Sequence, residues 1–333
     1  MKRLILTTND SGSGALKGAR IADAVIPFWL SFVWGQLQSA AELGRWLAPR
    51  PAEDEAIGDH WLDNLRGKQF EEARSDGLGL VEFCTRFDTI DLWIDPDPNA
   101  QLILIWLLDY LRPHDKIVAK LSLVQADTPI GSHLSEEITV WRIPAVKILD
   151  GHLEIARLAW QAWRALMPMD WFNLLSKDLS GLPQLRQTVV TLLEELPSRA
   201  TGLGATEMRM LELISEGNAS PPDVFPGHEK RNTRRTFDYW QIGALLDGLA
   251  DAPAPAISGL DGGPFTVEMH DDRDRHERYN RSRLSLTELG KAILAGRDDF
   301  SRHNPIHRWW GGTELTNDRL WRWDTGKQVL AEP

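Results

Sequence analysis

Two short polar clusters carry the residue types from which binding and catalytic sites are built. The first, Asn9-Asp10-Ser11-Gly12-Ser13-Gly14, stands directly behind the apolar run 2–8. Backbone N–H groups of a glycine-containing turn that feeds a helix start can hold a phosphate or a carboxylate. The spacing is neither Gly-x-Gly-x-x-Gly nor a P-loop, so an ordinary strand-to-helix turn competes with that reading. The second cluster, Asp95-Pro96-Asp97-Pro98-Asn99 with Gln101, follows the run 90–94. If both clusters converge, Asp10, Asp95 and Asp97 could hold Mg²⁺ or act as acid and base. The competing reading is that Asp95 to Asn99 only cap the next helix, where carboxylates meet free N–H groups and the positive end of the dipole. The candidate ligand-binding set is therefore Asn9, Asp10, Ser11, Gly12, Asp95, Asp97 and Gln101. No catalytic residue, metal ligand or cofactor is named by the pattern.

Other residues with chemical potential are less ordered. The nine histidines include no His-Glu-x-x-His, and His303 and His307, four apart, have Pro305 between them. A helical metal face is not expected there. Cys84 is the single cysteine, which excludes an internal disulfide and fits a reducing compartment. Lys230, Arg231, Arg234 and Arg235 precede a helical pattern over 237–249, and Arg273, Arg275, Arg278, Arg281 and Arg283 populate a charged stretch that could form a wing. Such residues could contact DNA phosphates. Against this, Asp271, Asp272, Asp274 and Glu277 interleave them, and the stretch 201–333 holds 17 basic against 21 acidic residues. Protein partners or interdomain packing compete with DNA there. Arg308-Trp309-Trp310 and Trp321-Arg322-Trp323 make an aromatic–arginine tail, either docked back on the protein or closing over a ligand crevice.

The elements that must position these residues can be read from periodicity. The chain has 333 residues, 42% of them hydrophobic, and a net charge of −11, which suits two cores and repels nucleic acid and anionic membrane at long range. The segments 2–8, 24–30, 90–95 and 116–124 read as strands, with helices over 15–22, 38–47, 53–75 and from Leu102 to Leu111. A strand, a helix and a strand within about 35 residues make a βαβ unit and imply a parallel sheet. Residues 153–197 read as helical with breaks at Pro168 and 181–183, and 198–204 as a linker. Thr206 is a plausible N-cap for a helix over 205–216, and Thr287 for one over 288–294. The expected organisation is a Rossmann-like α/β domain over 1–150, a helical connector over 151–200, and a mainly helical, winged-helix-like domain over 201–333. The N-terminus lacks a signal-peptide core, and the longest apolar-rich run, 24–37, is interrupted by Pro27, Ser31 and Gly35. No membrane segment and a cytoplasmic location are expected.

Several segments together resemble one bacterial family, the proteins built on domain of unknown function 1835. The similarity rests on 92–102 (LWIDPDPNAQL), 202–207 (GLGATE), 286–296 (LTELGKAILAG) and 304–313 (NPIHRWWGGT) with Trp321-Arg322-Trp323-Asp324. It implies this architecture and brings no activity with it. Where the family usually has Gly-Asp-Ser after its first strand, this chain has Asn9-Asp10-Ser11. Where His and Asp are typical in the third-strand loop, it has Pro96 and Ala100, and the end of the second strand departs as well. Any chemistry of the family at these loops is accordingly weakened here. The expected function is binding or regulation, with a small anionic or nucleotide-like ligand sensed by the α/β domain. The alternatives are a metal-assisted enzyme acting on a phosphorylated or nucleotide-like substrate, and a DNA-binding regulator acting through the C-terminal domain.

Overall fold

Near-continuous apolar runs make strands that are buried on both faces, and four of them here lie parallel. They are β1 (Arg3–Thr7), β2 (Ala24–Pro27), β3 (Thr89–Ile94) and β4 (Leu121–Gln125), and a short antiparallel β5 (Ala145–Lys147) completes a sheet of order β2-β1-β3-β4-β5. The computed structural model describes residues 1–50, 60–225 and 236–333. They divide into two compact units, the first of residues 1–32, 37–163 and 177–185, the second of 33–36, 164–176 and 186–333. Residues 151–200, read above as a connector, contribute to both.

The helices of the first unit are α1 (Asp10–Ala19), α2 (Ala40–Leu47), α3 (Lys68–Ser75), α4 (Leu80–Thr85), α5 (Pro98–Leu111), α6 (Asp115–Val118), α7 (Ser135–Val140) and α8 (Asp150–Trp163). Chain order turns back at β1: β2 lies on one side of it and β3 on the other. Right-handed crossovers leaving in opposite directions put the helices after β1 and β3 on opposite faces. On one face Ile5, Val25, Trp93 and Val124 pack with Leu16 of α1 and Ile138 of α7. Leu4, Leu6, Leu92 and Leu123 alternate to the other face and are equally buried. The gap between the carboxyl ends of β1 and β3 is thus a topological switch point, where open α/β sheets bind their ligands.

Three local expectations change. The segment after β1 is no glycine turn, since α1 already begins at Asp10 with Asn9 as its N-cap, so Gly12, Ser13 and Gly14 are helical. Residues 116–118 lie in α6, and β4 starts only at Leu121. The strand β5 was not anticipated.

The second unit contains α9 (Met169–Asn173), α10 (Leu185–Glu194, its first residue belonging to the first unit), α11 (Ala205–Ser215), α12 (Pro221–Val224), α13 (Tyr239–Ala250), α14 (Arg273–Asn280) and α15 (Glu288–Leu294). Its strands are short antiparallel pairs: β6 (Ile257–Ser258) with β7 (Ser285–Leu286), β8 (His307–Trp310) with β9 (Thr313–Thr316), and β10 (Arg322–Asp324) with β11 (Val329–Ala331). The core joins Met210, Leu211 and Ile214 of α11 to Ile242, Leu246 and Leu249 of α13, with Phe265, Tyr279 and Ile293. The cap of α11 falls on Gly204 rather than Thr206, whereas Thr287 caps α15 as expected, accepting from Gly290 N at 3.1 Å. The charged stretch read as a wing is largely the helix α14.

Candidate functional site

Parallel pairing of Thr7 with Trp93 sets the ends of β1 and β3 side by side, and the first polar residues beyond them meet. Asn9, facing the free N–H groups of α1, accepts from Gly12 N at 2.7 Å and donates through Nδ2 to Asp95 Oδ2. Asp95 Oδ1 accepts from Ile130 N at 2.6 Å, in the loop that follows β4. The Asp95 carboxyl is 1% exposed. Burial raises its pKa, opposed by the hydrogen bonds from Ile130 and Asn9.

The neighbouring carboxylate does different work. Asp97 is the N-cap of α5, with Pro98 at the first helical position, and accepts from Ala100 N at 2.9 Å. Burial, with the Asp95 charge adding to it, pushes the Asp97 carboxyl up to about 6. Asn99 ties down the chain beyond β2, accepting from Phe32 N at 2.7 Å and donating to Leu30 O at 2.8 Å. Gln101, also 1% exposed, donates to Asp95 O at 2.8 Å and to Gln184 Oε1 at 3.3 Å, and accepts from Gln125 Nε2 at 2.8 Å. Gln184 Nε2 reaches Ala126 O at 2.6 Å, closing a network across the ends of β3 and β4.

The structure therefore joins Asn9, Asp95 and Gln101, leaves Asp97 capping its helix, and exposes Asp10 and Ser11 on the first turn of α1. Asp10, Asp95 and Asp97 do not form a ligand set: among the described residues no group of three or more His, Cys, Asp or Glu side chains is placed to hold a metal ion. The loop after β4 lies against the helix start. A Cβ on Gly131 would collide with Ser11 Cβ, and one on Gly12 would come 3.4 Å from Ile130 Cβ.

Donors under this loop remain unmet. The hydroxyls of Thr7, Thr8 and Ser13 and the indole N–H of Trp93 are buried without a hydrogen-bond partner. Thr7, Ser13 and Trp93 belong to the sheet face that carries α1, by strand register and by the buried side of the helix. Buried polar groups are normally paired, so this concentration at one strand end is unusual. No family model and no curated protein matches this chain.

Elsewhere the candidate residues have structural partners. His303 lies beside Asp298 at 2.9 Å and His307 beside Glu314 at 3.1 Å, in separate pairs. Lys230, Arg231, Arg234 and Arg235 lie outside the described residues. Arg273 and Arg281 both pair with Glu277, and Arg275 donates to the carbonyl of Gly262 at 2.8 Å. The helix α13 buries Gln241, Ile242, Gly243, Leu245, Leu246, Asp247 and Leu249, so it lacks the exposed polar face with which a recognition helix reads base edges. The tail docks within its own unit, Trp310 Nε1 donating to Leu192 O at 2.7 Å and Thr313 Oγ1 to Ala165 O at 3.3 Å.

Sequence reasoning missed Thr7, Thr8, Gln125, Ile130 and Gln184. The two threonines and Gln125 were visible as polar residues closing apolar runs. Ile130 acts through its backbone N–H, for which a sequence carries no sign.

Proposed function

We propose that this chain is a non-catalytic binding protein whose α/β unit takes a small oxyanion-bearing ligand, such as a nucleotide or sugar phosphate, at the switch point between β1 and β3. The observation that carries this reading is the set of unmet donors of Thr7, Thr8, Ser13 and Trp93 beside the start of α1. Gly12 N and Ser13 N are satisfied by Asn9, while the N–H groups of residues 10 and 11 belong to the first turn, which has no intrahelical acceptor. Donors without acceptors suit a phosphate or carboxylate. Both oxygens of Asp95 already accept hydrogen bonds, so its acceptor capacity is used within the protein.

Catalysis is the weaker alternative, since Asp95 and Asp97 are spent on the Ile130 loop and on the cap of α5. DNA binding is weaker still, given the burial of α13 and the paired arginines of α14. The order of α11, α12 and α13, then β6, α14 and β7, supports a winged-helix-like arrangement used for protein contact. Membership of the family of domain of unknown function 1835 belongs to the same proposal. Its support is that 95–101 and 202–207 both act as helix-start segments. No helix among the described residues is long and apolar enough to cross a membrane. A cytoplasmic location accords with Cys84, a buried thiol pushed up to about 12 and so unreactive.

The test is a thermal-shift series with inorganic phosphate, ADP and ribose 5-phosphate, each with and without Mg²⁺. Ligand at about 100 times its Kd stabilises by about 2.7 kcal/mol. Ser13→Ala should abolish that shift. Absence of any shift in the wild-type protein would refute the reading.

A further inference from the structure

The second unit holds a cation with half of its donors unmet. Glu207, in the first turn of α11, accepts from Gly204 N at 2.8 Å and from Arg308 Nη1 at 3.1 Å. That interaction uses one side of the Arg308 guanidinium. The other side, Nε and Nη2, is buried and has no hydrogen-bond partner. Guanidinium donors withdrawn from water and left unpaired are costly, and the Nε–Nη2 edge is a planar fork that matches the two oxygens of a carboxylate or phosphate. Glu195, whose charge Arg308 also stabilises, does not fill it: it turns instead to α11, accepting from Thr206 Oγ1 at 2.6 Å and Thr206 N at 3.2 Å. The Arg308 side chain as a whole is 27% exposed, but its Nε–Nη2 edge is closed to solvent, so an anion reaches it only when the groups covering that edge move aside.

We propose that the Nε–Nη2 edge of Arg308 is a receiving site for a small-molecule oxyanion, a phosphate or a carboxylate, separate from the site at α1. Binding there is coupled to a proton. Glu207 already balances Arg308, so an incoming anion adds a negative charge next to Glu195. Burial pushes the Glu195 carboxyl up to about 7; the Glu207 charge raises it further, and the Thr206 hydrogen bonds and Arg308 lower it. Glu207 from α11 and Arg308 from β8 are the charged groups that face Glu195. Glu194 beside it in sequence is itself raised by burial. The anion therefore binds best when Glu195 is neutral and takes up a proton when Glu195 is ionised.

The experiment is calorimetric titration of the full chain with sulfate, as a phosphate-like dianion, and in parallel with acetate, at pH 6 and pH 8, since neither probe changes its own charge over that range. The expected result is binding of at least one anion that weakens about tenfold between those pH values. Arg308→Lys, which keeps the charge but loses the fork, should weaken it about tenfold or more. Glu195→Gln should bind at pH 8 as the wild type does at pH 6. The tighter of the two anions identifies the group. The proposal is overturned if neither anion binds at pH 6. It is equally overturned if binding survives Arg308→Lys and disappears in Ser13→Ala, which assigns it to α1. Should Arg308→Lys lose its fold, Glu195→Gln decides alone, and a pH dependence that persists in it overturns the proposal.

Discussion

Asp95→Ala tests the connection on which the architecture of the α1 site depends. The carboxylate accepts from Asn9 Nδ2 and from Ile130 N, and both donors lose their acceptor in the variant. A buried donor left unmet costs about 1–3 kcal/mol. Neither donor has an easy substitute, because Asn9 is held by Gly12 N and the Ile130 loop by its contact with Gly12. Removing a carboxylate whose burial raises its pKa returns part of that cost. The net destabilisation is then about 2–4 kcal/mol, and for a unit of this size that lowers Tm by about 5–15 °C. The assay is thermal unfolding at pH 7 together with amide hydrogen exchange, in which Ile130 N–H should lose protection while the strand amides of β3 keep theirs. Asn9→Ala combined with Asp95→Ala should show a coupling of about 1–2 kcal/mol, since each residue serves the other. A variant that melts within about 2 °C of the wild type, with Ile130 N–H still protected, would refute the claim that Asp95 holds the loop onto α1.

Asn99→Ala removes the two hydrogen bonds to Phe32 N and Leu30 O, at a cost of about 1–3 kcal/mol, and should raise exchange at Phe32 while leaving the sheet unaffected. Unchanged protection at Phe32 would contradict it. Stability should also depend on pH through Asp97 and Glu195, whose carboxyls lie at about 6 and about 7 in the folded protein. Both are raised above their unfolded values of about 4, so the folded state binds more protons. Their contribution is fully present below about pH 4 and is lost as pH rises through about 6 and 7, by about 3 kcal/mol each. Glu195→Gln should therefore match the wild type near pH 4, where both side chains are neutral, and exceed it at pH 8. Denaturant unfolding at the two pH values measures the gap, and a gap that does not widen toward pH 8 rules out a raised Glu195.

The sheet was legible where burial alone determines structure. The run 90–94 and the stripe of apolar residues after Pro98 could form only a buried strand and a buried helix. The start of α1 was misread for an instructive reason. Gly12 and Gly14 lower helix propensity, and on local grounds they mark a turn. In the fold, Gly12 is helical: Asn9 caps the helix through Gly12 N, and the Ile130 loop packs against this first turn. Propensity yielded to packing against a residue more than a hundred positions away. The strand β5 has three exposed residues and no pattern of its own, and it exists only through its pairing with β4.

The candidate site shows a sharper version of the same limit. Asn9, Asp95 and Gln101 were selected because their types can do chemistry, and they do come together, but as partners of one another and of Ile130 N, Gln125 and Gln184. Type reveals what a side chain can accept or donate; only the fold reveals whether that capacity is already used. Once the used capacity is subtracted, the carboxylates that suggested catalysis drop out. Among the buried side-chain groups left without a partner, which also include Trp61, Thr89, Thr201 and the carbonyl oxygens of Gln125 and Asn280, are the hydroxyls of Thr7, Thr8 and Ser13, the indole of Trp93 and one edge of Arg308. The hydroxyls, the indole and the guanidinium can all donate, the guanidinium carries a positive charge, and Arg308, on β8, meets Glu207 in the first turn of α11. A protein that leaves donors unmet at two such places is suited to receive anions, and that shared chemistry makes oxyanions the first compounds to test.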